Sequence, residues 1–208
     1  MAMFQLVGVE HEQFGPLFKL SDAELASRGI VRRIANSDSG FPCRVSLEDA
    51  SAGDELLLLH YLHHSVSSPY RASGPIYVRR GQTKRVLVPG LVPDYVTRRI
   101  ISMRTYGSEH MMLSADVQEG SGVARALEQL FTDPAVSYVH LHNAKQGCFS
   151  CHVKTCVVTP GANNSFKPHR FDTWFKCVVV PLQKLTDSYD AGRLNSGVRR
   201  HNNQRCIL

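Results

Sequence analysis

The chain lacks any long apolar run. Its longest apolar stretches, at residues 56–59 and 178–180, have the length of strands, whereas a helix needs roughly 20 apolar residues to cross a bilayer. The first 14 residues also lack a basic region and a long apolar region, and Glu10 and Glu12 interrupt them. We therefore expect no secretory signal and no membrane partner, and we predict a cytoplasmic protein.

Acidic residues are scarce in the C-terminal segment. Residues 155–208 contain no glutamate and only three aspartates against eight lysines and arginines, whereas residues 1–154 hold 16 basic and 15 acidic residues. The net charge of +6 therefore resides mostly in this segment. Nucleic-acid binding by the whole protein is not predicted. Any nucleic-acid binding would be weak and would come from the basic segment. Segments of this composition more often form a solvated basic end.

Cysteine occurs at six positions, and in a chain without an export signal we expect reduced thiols. The candidate catalytic residues are Cys43 and His142. Cys43 is adjacent to Arg44, and a neighbouring guanidinium favours the nucleophilic thiolate. The favoured alternative is a small buried apolar residue, because no base is fixed beside Cys43. Residues 148–152 match the C-x-x-C-H pattern of haem attachment, but attachment needs export, so chance is the better explanation.

Local patterns predict an α+β fold for residues 1–154, with a small, mostly antiparallel sheet and two or three short helices. Ser21 and Glu24 form a capping box that starts a helix over residues 21–28, and Gly29 suits its C-terminus. Apolar periodicity predicts further helices at residues 93–103 and 121–131. Strands are predicted at residues 30–35, 43–47, 54–62, 74–79, 111–117 and 137–143. We predict that residues 155–208 form a basic, weakly ordered extension in which only residues 171–182 are apolar enough for an ordered element.

A loop between two predicted strands carries a candidate anion site. Arginine binds a carboxylate or phosphate by its planar fork, and glycine lets a ligand approach the main chain closely. The alternative is a structured loop whose arginine pairs with an acidic neighbour such as Asp49 or Asp54. The candidate ligand-binding residues of this region are Arg44, Tyr70, Arg71, Ser73 and Gly74.

The predicted strand at residues 137–143 supplies the other candidate ligand-binding residues, His140, His142 and Asn143. Period-two alternation places Tyr138, His140 and His142 on one face and the apolar residues 139 and 141 on the other. Two imidazoles at this spacing can reach one metal ion, and Cys148 would add sulfur. A third ligand at a specific spacing is missing, so hydrogen-bonded strand histidines are favoured. We therefore expect no metal and no cofactor.

Three segments resemble one known bacterial family. They are GFPCRVSL at residues 40–47, SPYRASGPIYVR at residues 68–79 and YVHLHNAKQGCF at residues 138–149. The family is catalogued as domain of unknown function 1203, and the resemblance covers roughly residues 4–154. It implies a small cytoplasmic bacterial domain and carries over neither an activity nor catalytic residues.

The function favoured by the sequence is binding, with or without turnover, of a small anionic metabolite. The expected site is a loop pocket near Arg44, Tyr70, Arg71 and His142. The alternative is a non-enzymatic module that contacts a partner protein or has a structural role. The sequence leaves open whether the protein is an enzyme and which oligomeric state it has.

Overall fold

A computed structural model describes residues 2–157, which form two five-stranded sheets and three short α-helices. The first sheet has the order β1-β10-β9-β7-β8, and all of its neighbouring strands are antiparallel. Its strands are β1 (Ala2–Val7), β7 (Ile100–Tyr106), β8 (Met112–Glu119), β9 (Tyr138–Asn143) and β10 (Phe149–Val157).

The second sheet has the order β2-β5-β6-β3-β4 and is antiparallel apart from one parallel contact between Cys43 and Tyr77. Its strands are β2 (Val31–Ile34), β3 (Pro42–Cys43), β4 (Glu48–Asp49), β5 (Glu55–His64) and β6 (Ala72–Arg79). The helices are α1 (Asp22–Ser27), α2 (Asp94–Thr97) and α3 (Val123–Leu130). None of these helices is long and apolar enough to span a membrane.

Two large apolar cores pack against the two sheets, and a smaller third core contains Leu56 of β5 with Ala35 and Ala50. In the first core, Ile101 and Met103 of β7 and Leu141 of β9 pack with Val123 and Leu127 of α3. The second core contains apolar residues of β5 and β6 together with residues from the segment before β2, namely Val9, Phe14, Phe18, Leu25, Leu57, Leu59, Ile76 and Val78. Burying each large side chain stabilises the fold by about 1.5–3 kcal/mol, so these two cores fix both sheets.

The α+β class and the predicted helix at residues 21–28 are confirmed. Ser21 is the N-cap of α1, its side chain accepts from the Glu24 N–H, and the Glu24 carboxylate accepts from the Ser21 N–H at 2.8 Å. Gly29 follows the helix with φ +69°, a conformation that glycine adopts at low cost. The prediction of a single small sheet was wrong, because the strands form two sheets. Alternation within one strand does not show to which sheet that strand belongs.

Two predicted elements were wrong. The helix at residues 93–103 ends at Thr97, and residues 100–106 continue as β7, because alternate residues there pack into the first core. Of the strand predicted at residues 43–47, only Cys43 lies in a strand, and residues 44–47 form a turn in which the Leu47 N–H donates to the Cys43 carbonyl at 3.0 Å and Leu47 has φ +56°. Strands β1 and β10 were not predicted. The predicted basic extension, including residues 171–182, lies outside the described residues from residue 158 onward.

Candidate functional site

The polar face of the first sheet carries the candidate site. Tyr138, His140 and His142 of β9 point away from the apolar face formed by Val139 and Leu141, as the alternation predicts. Pairing of neighbouring strands extends this polar face. Tyr106, Arg104 and Ser102 of β7 pair with Tyr138, His140 and His142, and His152 of β10 also pairs with His140.

A bulge in β5 brings two further histidines to this face. The register of β5 against β6 shifts between Tyr61 and His64. A β-bulge can direct consecutive side chains to one side of a strand, which regular alternation forbids. As a result the His63 ring centroid lies 5.3 Å from that of His142, and the His64 centroid lies 4.7 Å from that of His140. We call the assembly the histidine cluster, and its members are His63, His64, Tyr106, His110, Tyr138, His140, His142 and His152.

One hydrogen-bonded chain in the histidine cluster has a fixed direction. Nδ1 of His64 lies 2.7 Å from the Tyr70 carbonyl oxygen, which only accepts, so Nδ1 carries the hydrogen of the neutral ring. Nε2 of His64 must then accept from the Tyr138 hydroxyl at 2.8 Å. Since that hydroxyl has donated its only hydrogen, Nδ1 of His110, at 2.9 Å from the Tyr138 oxygen, is the donor to it. The chain therefore runs from His110 through Tyr138 and His64 to Tyr70.

The same reasoning fixes the tautomer of His142. Its Nδ1 lies 3.1 Å from the Gly147 carbonyl oxygen and donates to it. Nε2 therefore presents a lone pair, and this buried atom has no hydrogen-bond partner among residues 2–157. Gly147 belongs to the turn between β9 and β10, where its φ of +71° favours glycine and its own N–H donates to the Asn143 carbonyl at 2.7 Å. The turn thus orients the carbonyl that orients His142.

Burial keeps the histidine cluster neutral. Desolvation lowers the pKa of His63 to about 4, of His142 to about 3 and of His152 to about 4. It also lowers the pKa values of His64 and His140. The positive charges of Arg104 at His142 and of Lys154 at His152 act in the same direction, and protonation of one histidine would disfavour protonation of its neighbours. Burial also raises the pKa of Tyr138 to about 12, so its hydroxyl keeps its hydrogen at neutral pH.

Arg104 is the nearest arginine to this neutral cluster by sheet register. It pairs with His140 across β7 and β9, and its charge contributes, after burial, to the lowered pKa values of His63 and His142. Within residues 2–157, the ion pairs of arginine involve other residues, and no carboxylate pairs with Arg104. A cation without a neutralising carboxylate among the described residues therefore lies beside the cluster.

The structure does not bring Arg44 and Arg71 together. Arg44 is 3% exposed, its Nε donates to the Phe149 carbonyl at 2.8 Å, and its Nη1 donates to the Pro42 carbonyl. Its backbone N–H bonds to the Tyr77 carbonyl, and Arg71 lies six residues before Tyr77, about 20 Å along extended chain. Arg71 is exposed and lines an open groove of about 600 Å³ with residues 65–69.

Of the other predicted loop residues, only Tyr70 reaches the histidine cluster. Its carbonyl accepts from His64, and its ring centroid lies 6.2 Å from that of Tyr106. Ser73 instead places its hydroxyl 2.7 Å from Nε2 of His60, and Gly74 pairs with Tyr61 within the second sheet. The loop and the β9 histidines thus meet through Tyr70.

The candidate nucleophile Cys43 lies in the second core and is fully buried. Its sulfur accepts from the Arg79 backbone N–H at 3.3 Å. Among the described residues, no hydrogen bond joins it to the histidine cluster, which contains the other catalytic candidate. Asn143, also a candidate, is buried at the end of β9, and its Oδ1 has no hydrogen-bond partner among the described residues.

The C-x-x-C-H residues do not converge on one site. Cys151 points into the first core, whereas His152 lies on the opposite, polar face of β10, and Cys148 precedes the strand. Across the described part of the chain, no group of three or more His, Cys, Asp or Glu side chains has a geometry that could hold a metal ion.

His63 and His64 join the site through the bulge in β5, which the sequence does not reveal, and sequence reasoning also missed Arg104, Tyr106, His110 and His152. Arg104 and Tyr106 follow directly after the segment interpreted as a helix, which ends at residue 103, and a period of two would have placed them with Ser102 on one face. His110 lies in the loop between β7 and β8, which has no periodicity. His152 was considered only as part of the haem pattern, because strand β10, which contains it, was not predicted.

These features define an α+β protein of two sheets with a neutral, histidine-rich polar face. The family model described as "Protein of unknown function (DUF1203)" matches residues 40–155, which is more than half of the chain. The chain belongs to this family. The matched range includes every member of the histidine cluster together with Arg104. No curated protein and no solved structure gave a significant match.

Proposed function

We propose that the protein binds a small anionic ligand at the polar face of the first sheet, between Arg104 and the histidine cluster. One observation carries the proposal. Two buried ring nitrogens of the cluster have no hydrogen-bond partner among the described residues, namely Nδ1 of His140 and Nε2 of His142. A buried polar atom without a partner costs about 1–3 kcal/mol, so a ligand that satisfies these atoms would recover that energy.

The charge of the site favours an anion. Arg104 has no carboxylate partner within residues 2–157, and none of the eight side chains of the cluster is acidic. A guanidinium can bind two oxygens of a carboxylate or phosphate by its planar fork. Arg104 and His63 are both partly exposed, as are His110, Tyr138 and His152. The proposal concerns binding and assigns no reaction.

This site differs from the loop pocket expected near Arg44 and Arg71. The Nε and Nη1 donors of Arg44 already serve two backbone carbonyls, and Arg71 faces a separate open groove. Of the residues predicted from the sequence, the proposed site keeps His140, His142 and Tyr70. We propose the bacterial cytoplasm as its compartment, on the family resemblance and on the thiols of Cys43 and Cys148.

A second candidate function is that of a protein-interaction module. It is supported by strand β8, which lies at one edge of the first sheet and has mostly exposed side chains. Leu113 and Val117 on this strand, and Met111 just before it, are all more than 40% exposed. An exposed edge strand offers unpaired backbone groups to a partner.

Thermal shift of the full chain with phosphate, sulfate and small carboxylates tests the anion site. A ligand at 100 times its Kd stabilises the folded state by about 2.7 kcal/mol, which raises the Tm of a domain of this size by roughly 5–10 °C. Replacing Arg104 by Gln should abolish this shift, whereas the matched variant Arg71→Gln should retain it. Loss of the shift in Arg71→Gln alone would place the anion in the loop groove. No shift with any anion would favour the interaction module.

A further inference from the structure

We infer that the ligand of this site carries a hydrogen-bond donor beside its anionic oxygens, and that it donates this hydrogen to Nε2 of His142. The chemical class is an oxyanion with an O–H group, such as a hydroxycarboxylate or a protonated phosphate. This inference rests on the proposed function, because it names the kind of anion that the same site accepts.

The hydrogen bond between His142 and the Gly147 carbonyl has a fixed direction. A backbone carbonyl can only accept, so the contact of 3.1 Å between Nδ1 and the Gly147 oxygen assigns the ring hydrogen to Nδ1. The turn holds this carbonyl in place, since Gly147 has the left-handed φ of +71° and its N–H is bonded to Asn143. Nε2 is left with a lone pair that points away from the turn.

The lone pair on Nε2 of His142 is buried among other rings. His142 is 1% exposed, and Nε2 has no donor among the described residues. The rings around it are His63 at 5.3 Å, Phe149 at 5.7 Å and His140 at 6.3 Å between centroids. No acidic side chain joins them that would favour a second hydrogen on the ring. An anionic oxygen without hydrogen would therefore place its lone pair against that of Nε2.

The guanidinium of Arg104 is close enough to His142 for one small ligand to contact both. Arg104 pairs with His140, and His142 is two residues further along the same face of β9. Such diagonal neighbours are about 7–8 Å apart at Cα, which a long arginine side chain spans. One small ligand can therefore present an anionic oxygen to Arg104 and an O–H to His142. A simple carboxylate satisfies the first contact only.

Two pairs of probes separate these contacts. Hydrogen phosphate and sulfate are similar in size and charge, but only hydrogen phosphate carries a hydrogen at neutral pH, and glycolate differs from acetate by one hydroxyl. Calorimetric titration of the full chain at pH 7.5 should give tighter binding of at least one O–H-bearing probe than of its match, by about 10-fold to 100-fold. Equal affinities within both pairs would overturn the inference and leave the proposed function intact. No binding of any of the four would overturn both.

Two variants test whether His142 causes the preference for the O–H-bearing probe. His142→Phe should retain weak binding through Arg104 and lose the preference for the O–H-bearing probe, whereas His60→Phe, an exposed histidine outside the cluster, should keep it. A preference that persists in His142→Phe would overturn the inference. Nitrogen-15 spectra of the wild-type protein give a test that does not depend on a variant folding. They should show the His142 hydrogen on Nδ1, and a hydrogen on Nε2 would overturn the inference.

Discussion

Nε2 of His64 lies 2.8 Å from the hydroxyl oxygen of Tyr138, a residue 74 positions later in the chain. His64 ends β5 in the second sheet and Tyr138 begins β9 in the first, so this hydrogen bond joins the two sheets. Each partner makes a second hydrogen bond, His64 to the Tyr70 carbonyl and Tyr138 with His110. The contact is therefore part of a polar connection between the sheets, beside the apolar contact of Phe149 with the second core.

We predict that Tyr138→Phe destabilises the protein by about 1–3 kcal/mol. The substitution removes the only donor to Nε2 of His64 among the described residues and leaves that nitrogen unsatisfied there. Urea unfolding at pH 7.5 measures the change. The control is Tyr77→Phe, since the Tyr77 hydroxyl has no hydrogen bond among the described residues and its ring packs on Phe41. Equal stability losses in the two variants would show that the hydroxyl of Tyr138 contributes nothing to stability.

The neutral cluster predicts loss of stability in weak acid. The folded-state pKa values of His63, His142 and His152 are about 4, about 3 and about 4, below the value of about 6.5 in the unfolded chain. The unfolded state therefore binds more protons, so stability is complete above pH 6.5 and falls as the pH decreases towards 4. Each histidine contributes a slope of at most about 1.4 kcal/mol per pH unit.

Urea midpoints measured between pH 7.5 and pH 4.5 test this dependence. We expect a steep decline below pH 6.5 in the wild-type protein and a shallower one in His152→Gln, which removes one of the titrating groups. His60→Gln should follow the wild-type curve, because His60 is exposed and bonded to Ser73 outside the cluster. A midpoint that stays constant down to pH 5 would mean that the cluster is not neutral in the folded state.

The sequence predicts the parts of this site that depend on local periodicity. Alternation in β9 places His140 and His142 on one polar face, and the capping box places α1 correctly. The bulge that turns His63 and His64 to the same side has no local signature, since it arises from the pairing of β5 with β6. Arg104 was missed because residues 93–103, which include the start of β7, were interpreted as a helix, so the period of two that continues to Arg104 was not recognised.

Two truncations test where the folded unit ends. Strand β10 runs beyond Lys154 to Val157, where Met3 pairs with Cys156 and Phe4 pairs with Thr155. A chain that ends after Lys154 loses these pairs and the side chain of Cys156, which is 3% exposed. We expect its Tm to fall clearly, whereas a chain that ends after Val157 should stay within a few degrees of the full chain. A large loss in the longer truncation would show that residues beyond 157 contribute to folding.

Gly147→Ala tests whether the turn sets the properties of His142. The φ of +71° costs an alanine about 1–2 kcal/mol, although the added Cβ would meet no atom within 4 Å. Relief of this strain should displace the Gly147 carbonyl, so that the nitrogen-15 signals of His142 change and anion binding weakens. Gly15→Ala is the matched control, because its Cβ also meets open space and its φ is not left-handed. Unchanged His142 signals in Gly147→Ala, together with the expected loss of stability, would show that the ring is held by its packing against His63 and Phe149 and not by the turn.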